Sequence, residues 1–137
     1  MTSATEPAAL WWAAGDLMNG KICYLEIPAS DVDLSARFYA ELFGWQIRTR
    51  GDGARAFDDA TGAVSGTWVA GREPASDSGV LVYVMVDSIA AALERVAAHG
   101  GALVTPKTAI GPSGASFAVF RDPAGNRLGL YEERRVG

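Results

Sequence analysis

The sequence predicts an α+β domain of two βαβββ half-repeats, forming a cupped mixed sheet with a helix on the outside of each half. Three observations predict it. Short strand-like apolar runs bounded by Gly, Pro and Asp punctuate two helix-period segments. The order strand, helix, three strands occurs twice. Landmarks in the two passes also keep nearly constant separations, the mark of a duplicated unit.

Residues 1–20 read as an arm. Within it Ala8 to Leu17 suits a short helix carrying Trp11 and Trp12, which either cover an apolar patch or reach across a dimer. The domain occupies 21–137: a first module at 21–71, a polar linker at 72–79, a second module at 80–133 and a tail at 134–137. In the first module Ile22 to Ile27 is a strand ended by Pro28. Asp31 is a good N-cap, its side chain able to accept from the first free N–H groups of a helix. Val32, Ser35, Ala36, Tyr39, Leu42 and Phe43 then recur at helical spacing, and Gly44 closes the helix at a position favouring positive φ. Trp45 to Arg50, Ala54 to Asp58 and Val64 to Ala70 follow as strands.

In the second module Val80 to Val86 is a continuous apolar run, read as a buried strand. Asp87 or Ser88 caps a helix with Ile89, Ala92, Leu93 and Val96 on its apolar face, ended by Gly100 and Gly101. Ala102 to Thr105, Ala115 to Arg121 and Arg127 to Glu132 complete the strands. Asp31 and Gly44 match Asp87 and Gly100 at a spacing of 56 (87 − 31 and 100 − 44). Phe57, Asp59 and Gly62 match Phe120, Asp122 and Gly125 at a spacing of 63 (120 − 57, 122 − 59, 125 − 62).

The totals exclude some classes. The length of 137 residues and 49% apolar content suit one domain with a real core. A net charge of −4 without a Lys/Arg cluster argues against nucleic acid as a partner. No apolar run reaches the ~20 residues of a membrane span. The N-terminus carries Glu6 and Asp16, lacks a basic stretch, and does not read as a secretory signal. A single cysteine, Cys23, allows no internal disulfide and suits a cytoplasmic location. It is expected to be a small core residue facing the helix.

Several segments together resemble one family. Glu26-Ile-Pro-Ala-Ser-Asp31 with Ala36-Arg-Phe38-Tyr39-Ala-Glu-Leu-Phe-Gly44-Trp45 is similar to the first strand and helix of glyoxalase-like proteins. Val84-Met-Val-Asp87, the alanine-rich helix and His99-Gly-Gly101 are similar to the second. Phe120-Arg-Asp122-Pro-Ala-Gly125-Asn126-Arg-Leu-Gly129-Leu-Tyr131-Glu resembles the closing hairpin. The chain thus resembles the vicinal oxygen chelate (glyoxalase, bleomycin resistance protein, dioxygenase) superfamily over about residues 21–133. The resemblance implies a cleft in which metal-dependent members hold a divalent ion on four side chains, two from the first and two from the last strands of the halves. Carried onto this chain those positions are Ile22, Gly66, Leu81 and Gly129, none of which can ligate a metal. The one histidine, His99, belongs at a helix C-terminus. No metal and no cofactor is therefore expected.

Alternation along the strands gives the expected cleft. With Ile22 go Tyr24 and Glu26; with Leu81 go Tyr83 and Met85; Trp68 accompanies Gly66; Tyr131 accompanies Gly129; Phe117 and Val119 face in while Phe120 packs under a helix. The two glycines are expected to leave room for a ligand. These aromatics either line a pocket for an apolar or planar molecule or simply fill the sheet. Glu26 is the candidate catalytic residue. In an apolar cleft its pKa would rise toward that of a general base. It could equally bind ligand, or pair with Arg127 or Arg48. Arg121 to Asn126 is a tight turn, and Gly111-Pro-Ser-Gly114 a hairpin loop.

Three functions follow. The first is a metal-independent protein binding a small aromatic or apolar molecule, as bleomycin resistance proteins do. The second is a metal-independent isomerase, cyclase or hydrolase using Glu26. The third, least favoured, is a metal-dependent lyase or dioxygenase. A homodimer is expected, with the partner completing the cleft.

Overall fold

The computed structural model describes residues 19–133; the expected arm helix at Ala8 to Leu17 and the tail at 134–137 lie outside them. Strand β1 is Tyr24–Pro28, followed by helix α1 (Val32–Phe43), β2 (Gln46–Thr49), β3 (Arg55–Asp58) and β4 (Ser65–Val69). The second pass gives β5 (Tyr83–Met85), α2 (Ile89–Ala98), β6 (Ala102–Ile110), a 3-10 turn at Gly111–Ser113, β7 (Ala115–Arg121) and β8 (Arg127–Glu132). Each pass forms a mixed four-stranded sheet, ordered β1-β4-β3-β2 and β5-β8-β7-β6. The first strand of each half pairs parallel with the last, and the other pairs are antiparallel. The predicted α+β duplication is therefore the observed one.

The helix ends obey their local chemistry. Asp31 accepts from Leu34 N and caps α1, which Gly44 closes at φ 73°. In α2 Ser88, not Asp87, is the N-cap, accepting from Ala91 N. The helices thus begin 57 residues apart (88 − 31) rather than 56.

The two modules share one core. Phe38, Tyr39 and Leu42 of α1 meet Ile89, Ala92 and Val96 of α2 and the helix-side residues Phe57, Trp68, Ala118, Phe120, Leu128 and Leu130 of both sheets. Rings carry much of it: Tyr39 stacks on Trp45 at 4.9 Å, Trp45 on Phe57 at 4.4 Å, and Phe38 reaches Phe120 across the modules at 6.0 Å. A buried polar joint fixes the modules together. Asp122 accepts from Tyr39 Oη at 2.7 Å and from Asn126 N and Nδ2 at 2.8 Å each. Asn126 Nδ2 also donates to Pro28 O at 2.6 Å, and its Oδ1 accepts from Ala75 N at 2.8 Å. The Arg121–Asn126 turn is thus a turn, as expected, and also the point where the first module and the linker attach.

Three expectations need correction. The run Val80 to Val86 is not a buried strand: only Tyr83–Met85 pairs, β5 is an edge strand, and Val80, Tyr83 and Met85 are 87%, 49% and 63% exposed. An apolar run signals a strand buried on both faces only when both faces are covered, and here one is open. Strand β6 runs on to Ile110, beyond Thr105, through two irregularities in its pairing with β7. Cys23 is exposed. It lies before the first residue of β1, outside the stretch from Leu25 to Ile27 that the core covers.

Candidate functional site

The sheet faces not covered by helices are where the predicted site residues must be sought. In the second module the prediction agrees with the register. Tyr83 lies beside Gly129, Met85 beside Tyr131, Val119 opposite Gly129 and Phe117 opposite Tyr131. All six therefore share one face, while Ala118, Phe120, Leu128 and Leu130 turn to the core. Tyr83 and Phe117 meet edge to face at 6.4 Å. Leu81, half-buried, precedes β5 on the same alternation.

In the first module the register differs by one residue. Gly66 pairs with Leu25 and Phe57, and Trp68 with Ile27, so both lie on the helix side, opposite to Tyr24 and Glu26. Trp68 is 4% exposed and packs 4.9 Å from Phe57 and 6.0 Å from Tyr39. Its indole Nε1 has no hydrogen-bond partner among the described residues. The cause is the β3–β4 turn. There Asp59 N donates to Val64 O, closing five residues on; in the second module Asp122 N donates to Asn126 O, four residues on. One extra residue changes the spacing from 63 to 62 beyond the turn (126 − 64) and flips every later side chain to the other face. Thr67, beside Glu26, takes the place that Gly129 holds beside Tyr83. Sequence reasoning missed Thr67 because the Asp-x-x-Gly match spans the turn without revealing its length.

Neither glycine leaves room for a ligand. A Cβ on Gly66 would lie 2.3 Å from the Phe57 ring and 2.4 Å from Leu25 O; one on Gly129 would lie 2.3 Å from the Tyr83 ring. The missing side chains accommodate neighbouring aromatic rings instead.

The open face of the first sheet is polar. Glu26 is about half exposed and pairs with Arg72 at 2.6 Å, neither with Arg127 nor with Arg48. It does not sit in an apolar cleft: its carboxylate lies half in water beside a guanidinium. Arg50 donates to Tyr24 Oη at 3.0 Å and pairs with Asp52, whose carboxyl it holds down at about 2. Arg48 pairs with Asp58 at 3.0 Å, and this hydrogen bond, with one from Ser65 Oγ, lowers the Asp58 pKa. Ile22 lies before β1 and is 72% exposed. Among the described residues no three His, Cys, Asp or Glu side chains converge as a metal site would require. Neither the expected ligand positions Ile22, Gly66, Leu81 and Gly129 nor Thr67, which the register brings beside Glu26, carries a carboxylate, imidazole or thiolate donor, and the Tyr83 ring covers Gly129.

A groove of about 650 Å³ opens between the modules, lined by Leu25, Phe43, Trp45 and Phe57 on one side and by Val82 to Ser88, Ala91 and Arg95 on the other.

Comparison with known proteins agrees with this architecture. A curated "Glyoxylase-like domain-containing protein" of Didymella fabae is 30% identical over 117 residues, covering 80% of this chain and 91% of its own. "Putative glyoxylase CFP32" of Mycobacterium tuberculosis is 25% identical over 120 residues, and this chain spans only 45% of its length. A solved structure of a glyoxalase/bleomycin resistance protein/dioxygenase family enzyme from Burkholderia phytofirmans superposes with a TM-score of 0.69 at 20% identity, over 83% of this chain and 99% of that one. That likeness shows the fold alone. The model of the Glyoxalase/Bleomycin resistance protein/Dioxygenase superfamily matches residues 21–130, and the chain belongs to that superfamily.

Proposed function

We propose that this protein binds a small, largely apolar molecule on the open face of its second sheet, without a metal ion. It does so as a homodimer in which the first sheet of a second copy supplies the opposite wall. The observation that carries this reading is the exposure of Tyr83 and Met85, at 49% and 63%, on one face with Phe117, Val119 and Tyr131. A face this apolar is costly to leave in water and suits either a ligand or a partner. The wall offered by the other sheet is chemically different. Tyr24, Glu26, Arg48 and Arg50 present hydroxyl, carboxylate and guanidinium groups already held in pairs. A cleft with one aromatic and one polar wall selects amphipathic molecules, the apolar part giving affinity and the polar wall orientation.

Light scattering at micromolar concentration checks the dimer, and thermal shift against a panel of aromatic and cationic compounds checks the site. The reading expects a dimer, at least one stabilising compound, and loss of that stabilisation in Tyr83→Ala. A monomer, or an unchanged shift in Tyr83→Ala, would overturn it.

A further inference from the structure

The open face of the second sheet is apolar in its middle and cationic at one end. Two residues along from Val119 and Gly129, Arg121 of β7 lies directly opposite Arg127 of β8 on that face. Like charges in opposed strand positions repel, their Cβ atoms being only about 5 Å apart. Arg121 is compensated: it donates from Nη1 to Gly125 O at 3.1 Å and pairs through Nη2 with Asp77 at 2.9 Å. Arg127 is not. Its side chain has no hydrogen bond or ion pair among the described residues, and its Nε is buried without an acceptor. A guanidinium partly withdrawn from water and left unmatched destabilises the chain that carries it. The carboxylates beside the polar wall are already engaged, Glu26 with Arg72, Asp52 with Arg50 and Asp58 with Arg48.

We propose that Arg127 binds the anionic group of the ligand, and that the ligand is an aromatic carboxylate with its charge against Arg127 and a ring over Tyr83 and Val119. This rests on the apolar face being the ligand site, and adds the charge and the shape of what that site takes. One uncompensated guanidinium matches one negative charge, which favours a carboxylate over a phosphate dianion. Two residues of strand separate Arg127 from Gly129, which the Tyr83 ring covers, so charge and ring should lie about 7 Å apart.

Isothermal titration calorimetry of the full chain with para-phenylbenzoate and its neutral isostere para-phenylbenzamide tests it, the distal ring of both lying about that far from the carbonyl carbon. The parent protein is expected to bind the benzoate about ten-fold or more tightly than the benzamide, the low end for a charge-assisted hydrogen bond. In Arg127→Met the two compounds should bind alike, at the affinity the parent shows for the benzamide. In Tyr83→Ala both should weaken together. Equal affinities in the parent, or a preference for the benzoate that survives Arg127→Met, would overturn the anion site and leave the apolar face standing. Binding of neither compound at millimolar concentration would overturn it as well, and the thermal-shift panel with Tyr83→Ala then reads whether the apolar face fails too. The melting temperature of ligand-free Arg127→Met is an independent check. It should equal or exceed that of the parent, because an unmatched charge is removed. A fall would mean that the guanidinium already has a carboxylate, from this chain or from a second copy, and would overturn the proposal.

Discussion

Removing the hydroxyl of Tyr39 tests how firmly the two modules are joined. Tyr39 is completely buried, and its Oη donates to Asp122 Oδ2 at 2.7 Å. In Tyr39→Phe the ring stays against Trp45 and Phe38, so packing is nearly kept. Asp122 loses one donor and retains Ala124 N, Asn126 N and Asn126 Nδ2. A hydrogen bond to a buried charged acceptor contributes about 1.5–3 kcal/mol. For a domain of this size that is a fall in melting temperature of roughly 5–15 °C. The pH dependence gives an internal check. Burial first, then the Asp122 charge and hydrogen bond, raise the Tyr39 pKa well above its ordinary 10.0. The folded chain then holds a proton that the unfolded chain releases above pH 10.0. This stabilisation is complete below that pH and is lost as pH climbs toward the folded-state pKa. Urea denaturation should therefore show the parent and Tyr39→Phe converging at alkaline pH and separated near neutrality. A difference under about 0.5 kcal/mol at neutral pH, a size typical of inert surface changes, would refute the joint.

Gly66→Ala should destabilise by about 3 kcal/mol or more, because its Cβ meets both the Phe57 ring and backbone at Leu25. Gly129→Ala should cost no more than about 1–2 kcal/mol, since the half-exposed Tyr83 ring can swing away; chemical denaturation of the pair compares them directly. Asn126→Ala strands Pro28 O and Ala75 N, and a loss of about 2–4 kcal/mol is expected, with faster hydrogen exchange at Ala75. Glu26→Gln should change stability by less than about 1 kcal/mol, as befits an ion pair half in water, and a larger fall in melting temperature would show that the pair with Arg72 is structural.

Much of this protein was legible in its sequence because the signals are local. The Asp31 cap and the Gly44 stop, the helix stripe through Ala36, Tyr39 and Leu42, and the bounds of β7 and β8 depend on neighbours a few residues away. Duplication was legible too, since an ancestral unit leaves landmarks at fixed spacing. In the second module the faces of β5, β7 and β8 also followed from alternation. The first module shows where that reasoning stops. A single extra residue in the Asp59–Val64 turn sent Gly66 and Trp68 into the core and brought Thr67 to the open face. The sequence carries that residue in plain view, but only the hydrogen bond that closes the turn says on which side of it the register changes. Tertiary structure alone decided three further things: that the helices and sheets of both halves share one core, that Tyr83 and Phe57 occupy the space over the glycines, and that Arg72 rather than Arg127 or Arg48 meets Glu26. Each depends on which residues distant in the chain become neighbours, and short-range patterns hold no record of that.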